Sequence, residues 1–408
     1  MEIGFIHFGA DERNTLIKVL QAIRDHHAID ELGIGRIRDA FSNLMFPGMS
    51  VLQNRAKYFA LLPALYCEVE KGNYRNIEEV RRRVLDLEIK VTRQLLLGTD
   101  SAESRYGITG STVIDRAEHN SAHYVKYDPT YIYWSGLVTY GMVRSDGYVY
   151  RLIYERSCKA KEYAAKHRTT ESEELSDSDD LRGTIQLFDT GGLNYNFDGK
   201  TPIDIRLTKQ EALFIKERIE RSESSRESLL AYLLGTDVPI VKDYQDLAQV
   251  WHGIPEHFRY VYGLSALFSR FVYLLRIYYN YLYDNRTGNP QEAEKQLTAY
   301  HNYRENHSEI TELAIKEVIR FVDKNVNDMV VKKFCIDAAR CVEQGNVKEL
   351  DTIITCREKA TKGYTRAKLT NCQKYWNIPH TEALLLDFRW ALVYQMIMEI
   401  REGIGDGR

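Results

Sequence analysis

Between Gly33 and Tyr66 the chain reads GIGRIRDAFSNLMFPGMSVLQNRAKYFALLPALY, and the Phe46-Pro47-Gly48 break inside it constrains the fold more than any other feature. Proline disfavours helical geometry at the residue before it, and glycine accepts turn angles that other residues resist. Ahead of the break, Ile37, Phe41 and Leu44 recur at three- and four-residue spacing. That predicts a helix from about Ile34 with these side chains inward. Behind it, Ser50 and Gln53 have the spacing of a capping box, which predicts a new helix starting at Val51 and running past Phe59 and Leu62 to Tyr66, with a kink at Pro63. Helix, turn, helix is the order of the DNA-binding motif whose second helix lies in the major groove with its first residues on base edges.

Under that reading Gln53 and Asn54 carry amides that pair bidentately with adenine, and Arg55 and Lys57 meet guanine or phosphate. Arg36 and Arg38 on the preceding helix join the set. Residues 33–93 hold eleven Lys/Arg against seven Asp/Glu, a local excess of +4 in a chain whose net charge is −3. Spacing divides the candidates: Arg55 shares a stripe with Val51 and Phe59, whereas Asn54 and Lys57, three apart, share the opposite face. The alternative is an ordinary helical hairpin whose polar residues are caps, and the turn is longer than the usual three or four residues. A second basic run, Arg357 to Lys374, holds six Lys/Arg against one Glu, with Tyr364 interleaved. Lys362, Arg366 and Lys368 are its candidate phosphate contacts, and the alternative is a solvated helix face.

With 408 residues, of which 44% are hydrophobic, the chain has material for two or three domains. Composition divides it at His167–Gly183, where six acids and no apolar period predict a solvated linker. The expected organisation is a helical, helix-turn-helix or winged-helix-like domain at 1–166, an acidic, turn-rich connector at 167–206 and a helical bundle at 207–408. The first domain opens on an amphipathic helix from Asp11 to about His26. Further on come helices over Ile77–Leu97 and from Asp128-Pro129 to about Gly141. Ser145-Asp146-Gly147 between short β-type runs reads as a hairpin turn, the element that closes a winged helix. Thr208 and Ser228 cap helices that follow the connector, and helices are expected over 258–283, 290–306, 308–325, 328–344, 347–362 and 380–402. The fold class is thus mainly α, ending in an irregular helical bundle.

Several functions find no support. Cys67, Cys158, Cys335, Cys341, Cys356 and Cys372 form no CxxC pair, which speaks against zinc ribbons and a disulfide framework and for a reducing, cytoplasmic setting. No signal-peptide pattern opens the chain, so no export is expected. Arg259, Arg270 and Arg276 interrupt the apolar run Phe258–Tyr283, and each central arginine costs roughly 2.5–3.5 kcal/mol to insert. A buried helix is expected there, not a membrane span, and its aromatic stripe (Phe268, Phe271, Tyr273, Tyr278, Tyr279, Tyr281, Tyr283) is read as core in preference to a base-stacking platform. His119 and His123 stand four apart, but no HExxH surrounds them and no third metal ligand is evident. No P-loop, GxSxG or nuclease pattern stands out, so no cofactor or metal is expected and no catalytic residue is named.

Gly33-Ile34-Gly35-Arg36-Ile37-Arg38-Asp39-Ala40-Phe41, Phe46-Pro47-Gly48, Ser50, Gln53, Arg55-Ala56 and Tyr58-Phe59 make up a long, specific signature. It resembles that of an uncharacterised bacterial family of unknown function. The resemblance continues at Ile132-Tyr133-Trp134-Ser135-Gly136-Leu137, Ser228–Leu234, Lys362-Gly363 with Arg366-Ala367, Leu369 and Asn371, and Phe388-Arg389-Trp390. It implies a component of antiviral defence gene clusters, encoded beside helicases and phospholipase-D-like nucleases, and supplies no catalytic residues. The expected function is a non-enzymatic, DNA-associating subunit of a phage-defence system that acts with a helicase or nuclease. The alternatives are a divergent metal-dependent nuclease or toxin effector, and a protein-binding scaffold without DNA affinity.

Overall fold

The computed structural model describes residues 31–99, 105–114, 125–145, 147–167, 187–376 and 378–405. The helix expected from Asp11, the His119–His123 pair and the acidic stretch after His167 lie outside them. Among the described residues fifteen α-helices follow in order. They are α1 (Gly35–Met45), α2 (Lys57–Glu70), α3 (Ile77–Leu97), α4 (Ser111–Ile114), α5 (Pro129–Thr139), α6 (Val149–His167), α7 (Lys209–Arg221) and α8 (Leu229–Gly235). The rest are α9 (Leu247–Val250), α10 (Glu256–Thr287), α11 (Pro290–Asn306), α12 (Glu312–Phe321), α13 (Met329–Gln344), α14 (Val347–Lys362) and α15 (Trp390–Ile404). The mainly α expectation holds, and no described helix is long and apolar enough to cross a membrane. The helices fall into two compact units, Met1–Leu44 with Asp243–Phe388 and Met45–Lys242 with Arg389–Arg408. Each is discontinuous in sequence, whereas the composition divided the chain into consecutive blocks.

In the unit built on residues 45–242, α2 is the core helix: eleven of its fourteen residues are buried. It packs against α3, α5, α6 and α7. Local chemistry sets the ends of these neighbours. Asn76 accepts from the Glu79 N–H at 2.9 Å to start α3. Asp128 accepts from the Tyr131 N–H at 2.7 Å, with Pro129 at the first helical position of α5. Thr208 and Glu211 close a complete capping box on α7. The turn at Phe46-Pro47-Gly48 is set by close packing. Gly48 has φ +80°, and a Cβ on Gly136 of α5 would lie 2.7 Å from the Phe59 ring and 2.8 Å from the Gly48 carbonyl oxygen.

In the unit built on residues 243–388, α10 lies at the centre, packed against α11 and α12, while α13 pairs with α14. Five of the seven residues of its aromatic stripe are core, as expected, with Phe268 and Phe271 fully buried and Tyr278, Tyr279 and Tyr283 nearly so, while Tyr273 and Tyr281 are half-buried. Phe41 of α1 packs its ring against those of Phe268, Phe321 and Phe388 in this unit. Leu44, expected inward, is exposed.

Three expectations are corrected. The helix expected from Val51 begins at Lys57, and residues 46–56 form an irregular loop. The second run of the expected hairpin enters α6 at Val149, because Val149, Leu152 and Ile153 bury a helical stripe; Val143 makes only an isolated antiparallel bridge with Phe188. The last helix starts at Trp390 and not at His380, since residues 379–387 run without regular structure behind Pro379. Side chains of α10 bond their backbone instead: Asn280 donates to the Thr381 carbonyl at 2.9 Å, Arg276 to that of Leu384, and the Leu386 N–H donates to Ser269 Oγ at 2.8 Å.

Candidate nucleic-acid interface

The nine residues singled out by sequence divide between the two units. Gln53, Asn54, Arg55 and Lys57 belong to the unit of residues 45–242, where they form a polar knot under the loop. Half of the capping-box geometry is present, the Ser50 N–H donating to Gln53 Oε1 at 3.0 Å. The other end of Gln53 is drawn away: its Nε2 donates to the Ile132 carbonyl at 3.1 Å, and the residue is buried. The Arg55 N–H donates to the Tyr133 hydroxyl at 3.1 Å, and that hydroxyl donates back to the Arg55 carbonyl at 2.9 Å. Arg55 Nε lies 2.8 Å from Glu399 Oε1, and the Ala56 N–H donates to Glu399 Oε2 at 2.7 Å. Asn54, half-buried, accepts from the Tyr106 hydroxyl at 3.2 Å.

Lys57 departs furthest from expectation. It is 2% exposed, with Nζ 2.7 Å from the Glu211 carboxylate and donating to the Arg206 carbonyl at 3.2 Å. Burial pulls its ammonium below the usual lysine range, while the Glu211 charge opposes that shift. The outward face assigned to Asn54 and Lys57 therefore does not exist as drawn. The signature is explained as structure: Gln53, Arg55, Tyr133 and Gly136 brace one loop, and Arg389 donates to the Met49 carbonyl at 2.6 Å.

Arg36, Arg38, Lys362, Arg366 and Lys368 belong to the unit of residues 243–388. Arg36 is exposed but paired with Asp328 at 2.9 Å, and Arg38 is largely buried and folded onto Asp39 at 2.8 Å. Lys368 pairs with Glu31 at 2.9 Å, with Lys362 4.0 Å from the same carboxylate. Arg366 is exposed, its Nε donating to the Lys362 carbonyl at 3.1 Å. Two further cations of the run, Lys359 and Lys374, are exposed as well. Lys359, Arg366 and Lys374 meet no carboxylate among the described residues. The single acid of the run is withdrawn: Glu358 is fully buried and accepts from the Tyr279 hydroxyl at 2.6 Å and from the N–H groups of Lys368 and Leu369 at 2.9 Å. It fixes the start of residues 368–376, and its burial raises its carboxyl pKa.

Beside this face lies a pocket of about 460 Å³ including its mouth, lined among others by Glu31, Arg276, Tyr279, Lys368 and His380. The sequence carried a signal for it that the apolar reading of α10 passed over: Arg276, Tyr279, Asn280, Tyr283 and Asp284 recur at helical spacing as a polar stripe. Buried Asp284 lies 2.8 Å from His380 Nδ1, an arrangement that orients an imidazole for proton transfer. Burial pushes the Asp284 carboxyl up and His380 pulls it back. Among the described residues no three His, Cys, Asp or Glu converge on a metal-sized site.

No curated protein and no solved structure matches the chain. Residues 1–167 match a family of unknown function, DUF6361, which fits the expectation of an uncharacterised domain; the motifs at Ser228–Leu234, Lys362-Gly363 and Phe388-Arg389-Trp390 lie beyond that match.

Proposed function

We propose that this chain is a non-enzymatic, DNA-associating subunit whose contact surface is the basic face of residues 357–376. The observation behind this reading is the trio Lys359, Arg366 and Lys374, exposed and without carboxylate partners among the described residues, on a segment whose only acid is buried. Clustered cations that no carboxylate neutralises are what backbone phosphates require. The wider role, antiviral defence in which the chain places a helicase or phospholipase-D-like nuclease on DNA, is supported by the sequence resemblance alone. Replacing all three cations by alanine is expected to weaken DNA binding and to flatten the dependence of log K on log salt by roughly 2–3, the loss of three phosphate contacts. Titration of the full-length chain across a salt series measures both, and an unchanged slope refutes this surface.

A nuclease or effector reading is favoured by one observation, the buried Asp284 behind His380 in a pocket that also holds Arg276 and Lys368. An imidazole fixed by a carboxylate can take a proton from an attacking hydroxyl, and the two cations can neutralise a phosphate. Incubation of the isolated chain with plasmid and with single strands, with and without Mg²⁺ or Mn²⁺, is expected to leave both intact. Cleavage that disappears in His380→Ala would establish the enzyme instead.

A further inference from the structure

We infer that the face of residues 359–376 takes single-stranded in preference to duplex nucleic acid, stacking unpaired bases on Trp376 and Tyr364 while Lys359, Arg366 and Lys374 meet the phosphates. This deepens the nucleic-acid reading above and rests on it. Of the four tryptophans in the chain, Trp251 and Trp390 are buried and Trp134 is half-buried, whereas Trp376 is 63% exposed. Tyr364 is 61% exposed, with Lys359 Nζ 5.2 Å from its ring centroid. Two large rings are left in water on one short basic segment, and Trp376 forgoes the burial that the other three tryptophans gain in whole or in part.

The backbone beneath them is braced. The Tyr283 hydroxyl donates to the Tyr375 carbonyl at 2.9 Å, the Lys374 N–H to that of Asn371 at 2.9 Å, and the Asn371 amide bonds the Tyr364 carbonyl. The backbone that carries the rings is thus held in place, which lowers the entropy lost on binding. Duplex DNA hides base faces inside its stack and offers only edges in its grooves. An aromatic platform therefore serves only unstacked bases, and stacking is tolerant of sequence because every base has a π-face. The residues that would have read duplex edges, Gln53, Arg55 and Lys57, are bonded inside the protein.

The test uses the full-length chain and a labelled mixed-sequence oligonucleotide, single or annealed to its complement, in anisotropy titrations over a salt series. The single strand is expected to bind at least about tenfold more tightly than the duplex. Trp376→Ala is expected to weaken single-strand binding roughly 5- to 150-fold with little change in salt slope, and Trp376→Phe to keep most of the affinity. Arg366→Ala with Lys374→Ala is expected to lower the slope by roughly 1.4. Equal or tighter duplex binding, or an unaffected Trp376→Ala alongside a weakened charge variant, refutes stacking and leaves the nucleic-acid reading standing. Absence of binding to either form overturns both and assigns the face to a protein partner. The replaced side chains are exposed, so unchanged thermal unfolding checks that the variants fold.

Discussion

Lys57→Met is expected to lower the unfolding free energy of its unit by about 3–5 kcal/mol, the cost of leaving a buried charge without its partner. The lysine lost is one that sequence alone assigned to DNA. In its place Glu211 would keep the Tyr195 hydroxyl at 2.5 Å and the Thr208 N–H at 2.7 Å, but no cation. Those two bonds explain why the site has a good neutral substitute. In Lys57→Met with Glu211→Gln, the glutamine oxygen closes the cap on α7 by accepting from the Thr208 N–H, and the amide NH2, at the position of the other carboxylate oxygen, donates to the Tyr195 hydroxyl, which turns from donor to acceptor. The double variant is therefore expected to recover most of the loss, with a coupling energy above about 2 kcal/mol. Urea unfolding of the four proteins of the cycle measures it. DNA binding by the folded fraction of Lys57→Met is expected to match the parent. A stable protein with lost affinity would return Lys57 to the contact surface.

Lys57 also shows where sequence reasoning ran short. Its partner Glu211 is 154 residues away, and nothing near Lys57 announces that a carboxylate will be waiting in the core. The Ser50–Gln53 signal failed for a related reason. Its side-chain bond forms, but distant groups, the Ile132 carbonyl and the Tyr133 hydroxyl, outcompete continuation into a helix. Where every contributor was local, the reading held: the start of α3, the Asp128-Pro129 start of α5, the Thr208 cap and most of the core stripe of α10 were legible. The basic run was legible too, because clustered charge is a property of composition. Trp376, two residues past its end, was not, because exposure of a single ring depends on what the rest of the fold leaves uncovered.

The same contrast separates the signature from the basic run and Trp376. Gly48, Gly136, Tyr133 and Arg55 are held to their identities by close approach and by bonds to backbone, so they mark a fold requirement and leave function open. Lys359, Lys374 and Trp376 have no side-chain bond to backbone among the described residues, and Arg366 has only the one to the nearby Lys362 carbonyl. Residues that a fold does not need, yet presents together in water, are the better guide to a partner.

Glu88→Gln is expected to stabilise the protein at pH 8 by about 4 kcal/mol and to be nearly silent at pH 4.5. Glu88 is fully buried in α3, where its Oε1 accepts from both the N–H and the hydroxyl of Thr130 at 2.7 Å while Oε2 has no hydrogen-bond partner among the described residues. Burial, with the Asp128 charge adding to it, pushes the carboxyl up to about 8 from its ordinary 4.5, and the Thr130 bonds oppose the shift. Below about pH 4.5 the folded and unfolded chains both hold the proton, and this group adds no pH dependence. Between about 4.5 and 8 the unfolded chain releases the proton that the folded chain keeps, so stability falls by about 1.4 kcal/mol per pH unit. Above about 8 both forms are ionised and the loss is complete. Glutamine keeps the acceptor that Thr130 needs and cannot ionise, so the gap between variant and parent should open across that window and then stay constant. Thermal unfolding of both proteins from pH 4.5 to 9 measures it. A gap independent of pH would mean that Glu88 is ionised in the fold, with a cation facing Oε2.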